Sequence, residues 1–295
     1  MTPETDPLSW LRRPAPPGRL PRGELWLYDQ VFRDLGISSD LCGHALLRRS
    51  AGMELWFLSV GDDLPAYPGY RTFRPDELRL LGELPPPPFL GLIVDGPLGR
   101  EIRRLGLTTA LEPLALSGTR GRSRDVFASA VRAITSLIRA TAGYGTAVVV
   151  ADDLAGQDRP LAHPAALRGT LLPCYARLAA AIHASGRLAL FHSDGALTDL
   201  VAPLREAGFD GLAGYEVEIL DVAAARRRTG REWLFIGGLP AAWMSAGPPS
   251  ATICRTHVRR VAGGEGAWAL ATSCGIENGG AWHNLLRCYR ALPAV

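Results

Sequence analysis

Residues 146–152 read TAVVVAD, residues 187–193 RLALFHS and residues 209–216 FDGLAGYE, with helix-compatible segments at 164–185 and 196–207 between them. Each run is short, apolar almost without interruption, and closes on an acid or a polar group. Such runs read as strands covered on both faces, because a strand with one wet face alternates apolar and polar residues. Strands alternating with helices are the repeating unit of a parallel sheet. Upstream, ELWLY (24–28), MELWFLSV (53–60) and FLGLIVD (89–95) extend the pattern; downstream, EWLFIGG (232–238) and AWALATS (267–273) complete it. Further helical segments fall at 96–105, after a GPLG turn, and at 123–143, 219–229 and 250–262. Eight strand-and-helix units in 295 residues are what a (β/α)8 barrel requires, whereas an open doubly wound sheet more often has fewer strands and a Gly-rich first turn. The expected architecture is α/β: a single-domain (β/α)8 TIM barrel over 23–295, preceded by a short N-terminal arm, 1–22. GELPPPPFL (82–90) reads as the loop into the third strand, because neither side of it holds enough alternating elements for a complete domain.

The composition narrows the function classes. With 47% apolar and 21% charged residues the chain can bury a sizeable core, and a formal charge of +3 leaves no electrostatic footprint for nucleic acid. All 32 basic residues are Arg, so no lysine forms a Schiff base or cradles a phosphate. Five cysteines (42, 174, 254, 274 and 288), odd in number and without a CxxC pair, argue against a disulfide framework and against a clustered zinc finger. That cysteine usage, the polar Pro-rich N-terminus and the lack of any long apolar run give the expectation of a cytoplasmic protein without a membrane partner.

A barrel of this kind carries its active site where the strands run out at their C-terminal ends. The residues there are Tyr28 and Asp29, Asp62 and Asp63, Asp95, Asp152 and Asp153, His192 and Asp194, Glu216 and Cys274. An Asp after a strand is often only the cap of the next helix, a reading of equal weight for Asp63, Asp153 and Asp194. His192, Glu216 and Cys274 are three different zinc ligands at the ends of nearby strands, and a catalytic zinc site has three protein ligands and one open position. Asp194, two residues beyond His192, supplies a fourth ligand or orients the imidazole. Asp95, Asp153 and Tyr28 are expected to line the mouth and orient a small substrate, with Arg100 as a carboxylate anchor and Asp62 and Asp152 as candidate catalytic groups. His163, His183 and His257 lie in helical contexts where exposure is the simple explanation. Cys174, Cys254 and Cys288 read as core, His44 and Cys42 fall in the least regular part, and ARRRTGR (225–231) reads as a solvated helix end.

The segments ADDLAG (151–156), HPAALRGTLLPCYARLAAAIHASG (163–186), LALFHSDGALTDLVAPLREAGFDGLAGYEVEILDV (188–222), IGGLP (236–240) and SCGI (273–276), with Asn284 downstream, resemble the uroporphyrinogen decarboxylase superfamily. The methyltransferase branch is the nearer likeness. LPRGELWL (20–27) and FLGLIVDGPLGR (89–100) match in style, so the resemblance spans most of the chain and is strongest over 145–290. It implies a (β/α)8 barrel. The decarboxylases carry an Arg-Gln-Ala-Gly-Arg-Tyr motif after the first strand; LWLYDQVFRDLG (25–36) stands there instead, without the arginine pair that anchors substrate carboxylates. Asp62 stands where those enzymes direct an Asp at the tetrapyrrole. The thiol-methylating members carry a His-x-Cys-Gly after the fifth strand and a second Cys after the eighth. In the similar zinc barrel of cobalamin-independent methionine synthase a Glu between these elements joins the site. The matching positions are His192, Asp194 in place of the first Cys, Glu216 and Cys274, and a carboxylate in place of that Cys makes the site harder than a thiolate would.

The resemblance thus implies a zinc-dependent methyltransferase that works with a corrinoid protein and moves a methyl group to or from a small thiol or methoxy substrate. Two other readings stand beside it. One is a metal-free decarboxylase-like enzyme acting on a small acid or pyrrole through Asp62 and Asp152. The other is a non-catalytic member that binds a tetrapyrrole or corrinoid.

Overall fold

The computed structural model describes residues 20–62, 69–115, 127–262, 266–273 and 275–292. Its strands are β1 (Gly23–Glu24), β2 (Leu55–Val60), β3 (Thr72–Phe73), β4 (Phe89–Asp95), β5 (Ala147–Ala151), β6 (Leu188–His192), β7 (Gly211–Tyr215), β8 (Leu234–Leu239) and β9 (Trp268–Thr272). Neighbours pair in parallel in the order β1-β2-β4-β5-β6-β7-β8-β9. Parallel bridges from Arg22 to Leu270 and from Leu27 to Ile276 bring β9 back beside the first strand and close the ring. The chain is therefore a (β/α)8 barrel. The two-residue β3, which pairs only with β2, is too short to leave a mark in the sequence. Parallel pairing requires a crossover between successive barrel strands, and most of these connections carry helices among the described residues.

The strands face two cores. Leu25, Leu55, Phe57, Phe89, Ile93, Ala147, Val149, Leu190, Leu234, Ile236, Ala269 and Ala271 fill the barrel. Trp56, Leu58, Leu90, Leu92, Val94, Val148, Val150, Ala189 and Phe191 face the helical layer. The two sets alternate along each strand, because successive side chains leave opposite faces. Both faces are apolar, and so the runs look continuous in the sequence.

The seam between the first and last strands is polar. The buried Glu24 carboxylate accepts from Thr272 N (3.0 Å), Thr272 Oγ1 (2.6 Å) and the Tyr289 hydroxyl (3.0 Å). Arg48, fully buried on the helix Leu41–Ser50, donates to the carbonyls of Glu24 and Phe57 at 2.6 Å each. Burial outweighs these partners and pushes the Glu24 carboxyl up to about 7. Pro21 joins the same seam, its carbonyl accepting from Leu270 N at 2.8 Å. The rest of the expected arm, 1–19, lies outside the described residues.

Helices occupy the expected places, including Pro97–Leu105, Ala128–Ala140, Val201–Glu206, Val222–Thr229 and Ala251–Ala262. The long segment at 164–185 is one helical rod interrupted by a wide π turn at Leu167–Leu171, immediately before Pro173. Proline has no N–H to give to the residue a turn earlier, and the π turn accommodates that gap. Three side chains sit differently from expectation. His44 is in a regular helix and buried between Phe32 and Phe73. His257 is part-buried, with Nε2 2.9 Å from the Gly238 carbonyl and its ring against Trp243. Arg226, within the expected solvated run, is buried over the Phe235 ring and donates to the Ala267 carbonyl. No helix among the described residues is long and apolar enough to cross a membrane.

Candidate active site at the barrel mouth

His192 is the last residue of β6 and shares its inward parity with Leu188 and Leu190. Its Nδ1 lies 2.8 Å from the Ala213 carbonyl. A carbonyl only accepts, so Nδ1 carries the hydrogen and the Nε2 lone pair is left for the mouth. The ring approaches β7 this closely because Gly214 has no Cβ; one there would stand 2.7 Å from Nδ1, and Gly214 has a φ of +72°. Trp26 closes the other side of the imidazole, edge to face at 4.5 Å.

Asp194 follows two residues later, its Oδ1 3.9 Å from His192 Nε2. That is too long for a hydrogen bond, and Oδ1 is buried with no partner. Burial and the neighbouring carboxylates Asp153 and Glu216 raise the Asp194 carboxyl to about 6, against the lowering influence of His192. Asp153, exposed after β5, completes a triad in which one ligand atom from each of Asp153, His192 and Asp194 lies within 4.8 Å of the others. Its Oδ1 also receives the Asp194 amide at 3.2 Å.

The other predicted residues take distinct places. Glu216 stands beside this group, accepting from Gly195 N at 3.3 Å, and is not one of the triad. Cys274 and Asp63 lie outside the described residues. Asp152 has the outward parity of Val148 and Val150. It accepts from Leu98 N (2.9 Å), Gly99 N (2.5 Å) and the Tyr175 hydroxyl (2.7 Å), which ties the end of β5 to the start of the helix Pro97–Leu105. Gly96 permits this, since a Cβ there would fall 2.3 Å from the Asp152 side chain. Burial pushes the Asp152 carboxyl up to about 7 against those three donors.

Asp62 is held by both terminal nitrogens of Arg100, at 3.1 and 2.5 Å, and Asp95 is paired with Arg103. Arg100 is thereby committed to a carboxylate of its own chain, and both acids are neutralised at the mouth. Tyr28 lines the mouth as expected, in a cavity of about 150 Å³ with Trp26, Tyr70, Asp152, Asp153, His192 and Asp194. Trp26 and Tyr70 are missing from the sequence reading. Tyr70 lies in the loop before β3, a place that no strand-end rule inspects.

The donor set is one imidazole and two carboxylates, a combination that suits a divalent cation. Two ligands at 2.0–2.2 Å in tetrahedral array are separated by roughly 3.4 Å, so the His192–Asp194 distance of 3.9 Å is open by about half an ångström. The orphaned Asp194 oxygen and the oriented imidazole are what a bound cation would satisfy.

No protein-family model matches the chain, and no curated protein matches it in sequence. Solved structures share its fold. A methyltransferase from Methanosarcina mazei superposes with a TM-score of 0.72 over 96% of this chain and 96% of its own, at 15% identity. An L-ribulose 3-epimerase does so with a TM-score of 0.51 over 87% of this chain and 90% of its own, at 14% identity. At these identities the likeness is one of fold.

Proposed function

We propose that the chain is a zinc-dependent methyltransferase that works with a corrinoid protein and moves a methyl group to or from a small thiol or methoxy substrate. The observation that carries this reading is His192, whose Nδ1 is fixed on the Ala213 carbonyl while Nε2 faces the unpartnered Asp194 oxygen. The near-complete superposition on a methyltransferase barrel supports the same class. His192, Asp194 and Asp153 would hold the metal, with Glu216 beside them and Cys274 as the further ligand that the resemblance supplies. A bound zinc ion supplies Lewis acidity, lowering the pKa of a thiol or polarising a methoxy oxygen.

The chain's own groups do the rest. The Ala213 carbonyl holds the imidazole in one tautomer and orientation, with the Nε2 lone pair directed to the mouth. Trp26 covers one face of the ring and keeps water from it. Asp153 and Asp194 give the mouth a negative potential. The metal-free reading is weakened at both of its carboxylates, since Asp62 is paired with Arg100 and Asp152 is taken up by Leu98 N, Gly99 N and the Tyr175 hydroxyl.

Elemental analysis of protein purified without chelator tests the proposal, with wild type beside His192→Ala, Asp194→Ala and Cys274→Ala. The expected result is about one zinc per chain in wild type and its loss in the His192 and Asp194 variants, with methyl transfer to or from an added corrinoid protein lost in parallel. Well-folded wild type without metal refutes it.

A further inference from the structure

The mouth is acidic and aromatic at once. Tyr28 and Tyr70 meet at a right angle, 5.7 Å between centroids and 85° between planes, and Trp26 lies 6.0 Å from Tyr70 on its other side. All three rings border the same cavity as Asp153 and Asp194. No arginine among the described residues lines it. Arg103, in the adjoining cavity that shares Tyr70 and Ala151, is engaged by Asp95, and Arg100 by Asp62. Among the described residues an anionic substrate finds no guanidinium anchor in this chamber, whereas a cation finds ring faces and a negative field.

The charge balance survives a bound metal. Asp153, Asp194 and Glu216 carry three negative charges when ionised, and one divalent ion leaves one of them over. A strongly hydrated ammonium would give up hydrogen bonds to water that aromatic rings do not replace, but a fully methylated one has none to lose. The cavity of about 150 Å³ is of the size that admits a benzene-sized guest. A tetramethylated nitrogen has five heavy atoms.

We propose that Trp26, Tyr28 and Tyr70 form the seat for a methylated onium headgroup, ammonium or sulfonium, of a small cationic substrate. This rests on reading the mouth as the substrate site, and it names the class of molecule that the site admits. The rings contribute cation–π attraction, and Asp153 and Asp194 supply the counter-charge. The headgroup is thereby held against the His192 face of the mouth, since Trp26 touches both the imidazole and the Tyr70 side of the chamber.

Calorimetric titration of the full-length protein with tetramethylammonium, trimethylsulfonium and choline, each compared with the uncharged choline isostere 3,3-dimethylbutan-1-ol, tests the seat. The onium ions are expected to bind roughly tenfold or more tightly than the isostere, and the preference between nitrogen and sulfur identifies the natural headgroup. Tyr70 is part-exposed, so its variants retain the fold; Tyr70→Leu is expected to weaken binding about tenfold and Tyr70→Phe to keep it within about threefold. Equal binding of choline and its isostere, no binding of any onium ion, or indifference to Tyr70→Leu overturns the proposal. The titrations are run on protein of measured zinc content. Onium binding by zinc-free protein refutes the metal and keeps the seat; zinc-loaded protein that ignores onium ions does the reverse.

Discussion

Replacing Asp152 by alanine removes the acceptor for three buried donors at one stroke. Leu98 N and Gly99 N are the first free amides of the helix Pro97–Leu105, and the Tyr175 hydroxyl belongs to a side chain with no solvent access. Each orphaned donor costs about 1–2 kcal/mol, so the variant loses about 3–6 kcal/mol, a large share of the stability of any domain. Asparagine is gentler. Its single carbonyl oxygen serves one side of the former carboxylate, while its NH2 turns toward a backbone N–H on the other, orphaning one donor for about 1–3 kcal/mol. Urea unfolding followed by circular dichroism separates the two, with midpoint shifts of about 1–2 M expected for Asp152→Ala at a slope near 3 kcal/mol/M. Turnover adds the second reading: Asp152→Asn is expected to stay active in the fraction that is folded. A midpoint for Asp152→Ala within about 0.2 M of wild type refutes the anchoring argument, and a stable but inactive Asp152→Asn restores a catalytic role to this carboxylate.

Glu24 and Asp152 both bind their protons more tightly when folded, at about 7 against ordinary values of 4.5 and 3.8. Their contribution to stability is full below those ordinary values and is lost as pH rises to 7, with a slope approaching about 1.4 kcal/mol per pH unit for each group. Buried His44, held neutral well below 6.5, opposes this slope by one proton's worth at pH values under 6.5. Unfolding midpoints are therefore expected to be higher at pH 5 than at pH 7.5, and Glu24→Gln to flatten the profile; a profile that rises from pH 5 to 7.5 contradicts the assignment. Gly214→Ala would place a methyl group 2.7 Å from His192 Nδ1 at a backbone position with φ +72°. It is expected to lose zinc while keeping its barrel by circular dichroism, and zinc content equal to wild type would count against the positioning of His192 by Gly214.

The barrel was legible because its strands are apolar on both faces, and a run such as AVVVA in β5 has no reading other than a covered strand or a buried helix segment. The site was legible only in part, for reasons of parity. Asp152 and Asp153 are neighbours at one strand end, and a strand's alternation must send one of them into the helical layer and the other to the mouth. With valine at 148, 149 and 150 alike, the run does not say which parity faces the helices, and the structure alone sends Val148, Val150 and Asp152 outward. Glu216 is different. The register shift between Ala213 and Tyr215 turns Tyr215 out among Phe235 and Trp268, and no composition rule announces that bulge. Tyr70 reaches the mouth from a loop whose course depends on β3 pairing with β2, a tertiary contact of two residues.

The polar seam has a consequence for how the chain comes off the ribosome. Glu24 finds Thr272 and Tyr289 at separations of 248 and 265 residues. At about 5–20 residues per second, β1 is made tens of seconds before the groups that satisfy its carboxylate exist. During that interval the first strand has β2 for a neighbour on one side and an open backbone edge on the other, and Glu24 remains hydrated rather than enclosed. The ring closes last, and closure is the step that takes the Glu24 carboxyl out of water and gives it the three donors of the seam.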